Sequence, residues 1–453
     1  MTSQRSSRRF LTGAALVLTI GGLGASALPV AAADPEPYLV EDINTSGGSS
    51  PSCLTEMGGV LYFGARSVGR GTELWRSDGT ALGTRRVKDI NPGSGSSSPC
   101  DMKVVDGLLY FYARDGVHGH ELWVSDGTNA GTRMIKDINP GSASSTPFFF
   151  TGANGLVFFS AEDAATGREL WRTDGTEAGT KRVLDQNPGT GWSDVYPIGE
   201  YGDKLYFVSE PWNSQSPNTL YRTDGTKKGT KAFRDTNGRL IHDIYRMEQF
   251  NSTMILSGEL GMWRSRGTSA TTKKISSKSG YNFIPFNGAL YFAAYRGEIW
   301  KTDATKAGTV KITQILDQWG EPYGVSSNFV DLGGKLFFFA AGGPWVSDGT
   351  ALGTQPVGSD ARNESEEVVS LNGVAYWDAL AGESFEDCYD AVAARPSTTP
   401  APAGLVFRSD GTLDGTRNLD CRWAYIWELK VVGDSIFFVS DAQGGSELWA
   451  YKP

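Results

Sequence analysis

The chain has three histidines, His118, His120 and His242. The first two share one segment, ARDGVHGHE, and could begin a zinc site, but that chemistry wants a third ligand and none follows at a metal-binding spacing. A surface loop is the simpler reading. The same segment offers Asp115 and Glu121 to calcium, at a spacing that matches no calcium loop. Adjacent acids at Glu162/Asp163 and Glu386/Asp387 could serve glycoside hydrolysis, which needs two carboxyl groups at a fixed separation. Adjacency in sequence does not make two acids face each other. The chain contains no nucleophile elbow, no HExxH and no phosphate loop. It therefore assigns no catalytic, cofactor or metal-ligating residue. A different set of residues could bind. Trp192, Trp212, Tyr281, Trp319, Tyr323 and Trp423 stand beside Asn, Asp and Gln and belong to no repeated pattern. Aromatic faces flanked by polar groups suit sugars or peptides; the competing reading is that these rings fill gaps between loops.

The elements that must position these rings come from a repeat. ELWRSDGTALGT begins at Glu73, ELWVSDGTNAGT at Glu121 and ELWRTDGTEAGT at Glu169. Weaker copies begin at Thr219, Gly261, Glu298, Gly343 and Leu405, and a half-copy, ELWAYKP, begins at Glu447. A period near 45 residues implies stacked copies of one supersecondary unit. In residues 98–138, SPCDMKVVDG, LLYFYA, HELWVS and RMIKDI read as four strands, here A to D. Asp-Gly between strands C and D is a hairpin signal. Four short antiparallel strands per unit make one blade of an all-β propeller. The repeated tryptophans (Trp75, Trp123, Trp171, Trp263, Trp300, Trp345, Trp449) are expected to pack between units, each with a partner for its indole N–H. The fifth copy has Arg266 in place of the Asp and the sixth Ala304 in place of the Gly, so looser or different outer turns are expected there. The recurrent Asp42, Asp89, Asp137, Asp185 and Asp235 lie on outermost strands, too far apart for one ion, and should cap the turns that follow.

The motif resembles the ELWxxDGTxxGT repeat family of secreted bacterial proteins, which look like propellers. That resemblance covers nearly all of residues 34–453 and implies a fold more than an activity. Counting units gives nine blades; eight is the alternative if the fifth and sixth copies do not form separate blades. PYLVEDIN at 37–44 matches VKDIN and IKDIN, so residues 38–43 should be a lone D strand that pairs beside residues 446–451 and closes the ring.

Residues 1–33 read as a signal peptide: Arg5, Arg8 and Arg9, an apolar run, then Ala31-Ala32-Ala33. SRRFLT resembles a twin-arginine signal without its usual spacer, so general secretion is the default and Tat export the alternative. Residues 34–453 form one propeller domain, with a Pro-rich loop insertion at 382–404 and no further run able to span a bilayer. The net charge of −9 opposes nucleic acid as a partner. Four cysteines suit an oxidising compartment. Cys53 and Cys100 follow Ser-Pro in successive A strands and should bridge, as should Cys388 with Cys421. The expected protein is a secreted, extracellular or surface-associated monomer without cofactor. It binds a glycan or an extracellular protein through the face of its D–A and B–C loops. A polysaccharide-active hydrolase or lyase, and a purely structural scaffold, are the competing readings.

Overall fold

The computed structural model describes residues 35–211, 217–317, 319–357, 368–380, 404–413, 415–420, 426–441 and 445–453. Among these, the strands form nine four-stranded antiparallel sheets, eight of them in simple A-B-C-D order. The A strands of neighbouring blades touch around the axis, and Ile426–Val432 of the ninth blade returns to Ser52–Met57 of the first. The protein is a nine-bladed β-propeller. Helix is confined, among the described residues, to two 3-10 turns, Ser269–Thr271 and Tyr295–Gly297.

Strand B explains why the sequence stacks as blades. VLYFGAR, LLYFYA and LFFFA are apolar at nearly every position rather than at alternate ones. Both faces of such a strand must be covered, and a blade provides this by lying between two others. Each core cluster accordingly straddles a seam. Met57, Tyr62 and Leu74 of blade 1 meet Leu109, Phe111 and Trp123 of blade 2; Tyr110 and Leu122 of blade 2 meet Phe159 and Trp171 of blade 3. The motif Trp faces the preceding blade and the motif Leu the following one. Each such ring is worth roughly 2–3 kcal/mol of burial. The expected indole partners are found only in part. Trp300 donates to Glu298 and Trp345 to the Ala340 carbonyl. Trp75, Trp123 and Trp171 bury their N–H with no partner among the described residues, at seams where they pack on hydrophobic clusters.

The turn between strands C and D is a closed hydrogen-bond circuit. In blade 2, Asp126 accepts from the amide and hydroxyl of Thr128, Thr128 accepts from the Gly131 amide, and Ser125 pairs with Thr132. A Cβ at position 131 would lie 2.1 Å from the Asp126 carboxylate. Blade 5 departs as expected: Arg266 replaces the Asp, and Thr271 replaces the glycine. The Thr271 hydroxyl accepts from the Arg266 amide instead. Blade 6 is no looser. Its full circuit survives with Ala304 held at φ 69°.

The D strands are shorter than the sequence implies. Arg133–Lys136 pairs, but Asp137 and Ile138 leave the ladder, because the Ile138 amide turns to the Glu121 carboxylate at 2.8 Å. The closing strand behaves alike. Tyr38 and Leu39 pair with Ala450 and Trp449, and Val40 donates to Leu448. Residues 41–43 then depart, so the lone strand is Tyr38–Leu39 rather than 38–43.

Candidate functional site

The D–A and B–C loops share one face. Ser96 accepts from the Thr72 amide at 3.0 Å, and Ser144 from the His120 amide at 2.9 Å. Behind this face lies a device that the motif letters hid. Glu73, the first residue of ELW, is buried and receives the amides of Ile90, Asn91 and Ser97 and the Ser97 hydroxyl. Glu121 does the same for Ile138 and Ser145, and Glu169 for Gln186, Asn187 and Ser193. At the closing seam Glu447 holds the Ser49 amide and hydroxyl. Each glutamate pins the chain on its way to the next blade. Its serine partner stands 24 residues later in the three internal copies that begin with ELW, a regularity that could have revealed the clamp. Burial pushes all four carboxyls upward, Glu121 to about 6, against the opposing pull of their hydrogen bonds. A carboxyl raised into that range resembles a general acid. Here the oxygens are enclosed and already bonded, so the shift belongs to the scaffold.

The two acids of the calcium reading are both hydrogen-bonded within the chain. Glu121 is clamped, and Asp115 accepts from the Val117 and His118 amides and the His118 ring. That contact raises the His118 pKa, chiefly through its hydrogen bond to Asp115. Burial lowers that of His120, whose ring lies edge-on to Tyr112 at 5.3 Å. Among the described residues, no three His, Cys, Asp or Glu side chains converge as a metal site would require. Glu162 and Asp163 are successive residues of strand Leu156–Asp163 and so point to opposite faces. They cannot flank one bond. Asp163 caps Thr166, and Glu162 lies 3.7 Å from Arg168. Glu386 and Asp387 lie outside the described residues. Of the recurrent D-strand acids, Asp137 and Asp235 cap turns as expected, whereas Asp89 pairs with Arg70 and Arg86 and Asp185 lies near Arg182.

Among the described residues, the binding candidates are spread over more than one seam. Trp192 sits between blades 3 and 4, 41% exposed; the edge of its indole lies over Gly167, and its carbonyl accepts from Asn187. Trp319 occupies the tip of a hairpin after blade 6. The Asp317 carboxylate accepts from the Trp319 and Glu321 amides, and Asp317 and Glu321 pair through their backbones. This presents the indole 78% exposed, with Tyr323, 46% exposed, at the hairpin's foot. Tyr281 is not in a connecting loop. It belongs to strand A of blade 6, Gly280–Phe286, packed at the seam with blade 7 beside Val325. Burial raises its pKa against a hydrogen bond from the Val325 backbone. Trp212, Trp423 and the Cys388–Cys421 pair lie outside the described residues. Cys53 and Cys100 form the expected disulfide, with Cα atoms 5.4 Å apart.

The disulfide belongs to a wider set of links near the axis, which sequence reasoning missed. The A strands bulge near their starts, placing Cys53, Asp101, Phe149 and Glu428 at positive φ. There Glu428 accepts from the Cys53 and Leu54 amides. Asp101 accepts from Phe149, and Phe149 packs on Tyr196. The bulge turns each of these side chains toward the next blade.

No family model and no curated protein matches this chain. Solved structures do. It is similar to a computationally designed protein, Ika8, at 12% identity and TM-score 0.44, covering 92% of this chain and 99% of that one. It is similar to a puromycin hydrolase at 14% identity and TM-score 0.39, covering 80% and 62%. It is also similar to BamB from Moraxella catarrhalis at 14% identity and TM-score 0.33, covering 64% and 78%. At these TM-scores the likenesses imply no activity for this chain. Among the described residues no helix is long and apolar enough to cross a membrane.

Proposed function

We propose that this protein is a secreted, non-catalytic binding module of the ELWxxDGT-repeat kind, which takes a glycan or an extracellular protein on its D–A/B–C loop face. The observation that carries this reading is the hairpin Asp317–Glu321, which holds Trp319 out in solvent on a backbone fixed by its own aspartate. Packing does not account for a ring so exposed. An indole on a turn capped by its own aspartate offers a large contact face at little entropic cost. Tyr323 widens that surface. Trp192 lies at another seam and would be a separate contact, reached only by an extended ligand. A glycan array probed with the disulfide-intact protein, with Trp319→Ala and Trp192→Ala as separate variants, tests this. Loss of at least tenfold in apparent affinity on Trp319→Ala is expected. A glycan signal unchanged by both variants would discard the aromatic face as the sugar site, and an empty array would leave protein partners for the same face, sought by the same Trp319→Ala comparison.

A further inference from the structure

The opposite face, which carries the A–B and C–D turns, holds one turn unlike its siblings. In blade 3 the turn runs Arg172, Asp174, Gly179, Lys181, with Asp174 lowered in pKa by its Thr176 hydrogen bonds and by Arg172. The acid sits among the bases and offsets them. In blade 5 the same positions read Arg264, Arg266, Thr271, Lys273. The acid has become a third base. No carboxylate among the described residues is within ion-pair distance of Arg264, Arg266 or Lys273. These three side chains line a cavity of about 230 Å³ with Thr253, Ser265, Ala270 and Thr271. Its lining contains no acid.

Two further observations separate this from a scattered surface charge. The chain as a whole is acidic, at −9, so the concentration of cations here is local. The Asp→Arg exchange is also matched by Gly→Thr at position 271. Thr271 both fills the space the carboxylate would need and, through its hydroxyl, takes over the turn's bond to the Arg266 amide. The turn therefore holds its shape without the acid. Arg264 is anchored by a hydrogen bond to the Ala304 carbonyl, and Lys274 is drawn away over Trp263, 5.3 Å from the ring. Asp303 of the next blade feels Arg264, which lowers its pKa in small part.

We infer that the blade 5 turn is a binding site for a tetrahedral oxyanion, a sulfate ester or a phosphate monoester, held between the guanidinium groups of Arg264 and Arg266 and the Lys273 ammonium. Guanidinium groups match the paired oxygens of such groups, and the ammonium adds a point charge. Three cations around one cavity favour a group with three charge-bearing oxygens, singly charged in a sulfate ester and up to doubly charged in a phosphate monoester, over a planar carboxylate with two. This site is independent of the aromatic face.

The other blades supply the test. Arg266→Asp with Thr271→Gly rebuilds the circuit that blades 1–3 already fold with. Asp174→Arg with Gly179→Thr grafts the blade 5 arrangement onto blade 3, where Arg172 and Lys181 are in place. Titration calorimetry with inorganic sulfate and inorganic phosphate is run on the intact protein and both variants. One equivalent in the parent, affinity at least tenfold weaker in the reverted chain and a second equivalent in the grafted chain are expected. The stronger of the two anions identifies which ester the site prefers. Equal binding by parent and reverted chain, or a grafted chain that gains nothing, overturns the assignment.

Discussion

At the residue scale, Asp126 and Gly131 are one unit rather than two motif letters. The aspartate's bonds to Thr128 fill the space beside residue 131, so any Cβ there meets carboxylate oxygen. Gly131→Thr should displace Asp126 and break both bonds, lowering stability by about 1–2 kcal/mol. Asp126→Arg together with Gly131→Thr should recover much of that loss, since blade 5 folds with this combination. Thermal melts of the two single variants and the double variant measure the coupling, and strict additivity would show that the two positions are independent. The same reasoning limits Ala304, at φ 69° in a place where its siblings carry glycine. Its methyl is buried in the blade 5–6 cluster, so strain and packing oppose each other there.

At the scale of the blade, the glutamate clamp governs both stability and its pH dependence. Glu121→Ala would leave the buried amides of Ile138 and Ser145 without acceptors. A loss of about 3 kcal/mol follows, readable as a lower melting temperature. The clamp carboxyls are raised above their ordinary 4.5, Glu121 to about 6. The native state therefore binds more protons than the unfolded state across that interval, and stability falls as pH rises through it. The turn aspartates act in reverse. Asp78, Asp126, Asp174, Asp224, Asp303 and Asp348 are lowered from 3.8 by threonine hydrogen bonds. Their contribution, screened by solvent, is present above 3.8 and lost on further acidification. Melting temperature should peak at about pH 4–5; a monotonic rise from pH 4 to 7 would contradict the clamp's titration. This scale also marks how far the sequence was legible. The apolar strand runs, the Asp-Gly turns and the 45-residue period specify the blade because each is written within one unit of the chain. The clamp joins Glu73 to Ser97 across two connections, and the A-strand bulge depends on the neighbouring blade's Asp101 or Glu428. Neither has a local signature. The exposed aromatics were found by their departure from the repeat, a criterion that could not separate Trp319 at a hairpin tip from Tyr281 inside a strand.

At the scale of the ring, the seam between blades 9 and 1 differs from the others in being crossed by a strand that must find its place from far along the sequence. Glu447 grips Ser49, Glu428 grips Cys53 and Leu54, and Tyr38 reaches the Gly79 carbonyl at 3.3 Å. The Cys53–Cys100 bridge, 47 residues apart in sequence, then ties blade 1 to blade 2. Chain entropy assigns such a loop at most about 4 kcal/mol, so Cys53→Ser with Cys100→Ser should lower the melting temperature while leaving the ring closed. Removing residues 35–43 should do something different in kind. Val40 and Ile43 are buried in the seam cluster with Phe63, Phe437 and Leu448. Without them the strand Ser446–Tyr451 loses its outer partner. It becomes a free edge, and such edges pair with other chains. The truncated protein should elute as dimers or larger species, with faster amide exchange confined to residues 446–451 and the adjoining blade 1 strands. A monomer with unchanged exchange at those strands would mean that the bonds of Glu447 and Glu428 hold the ring closed by themselves, and that the two-residue closing strand contributes little to the seam.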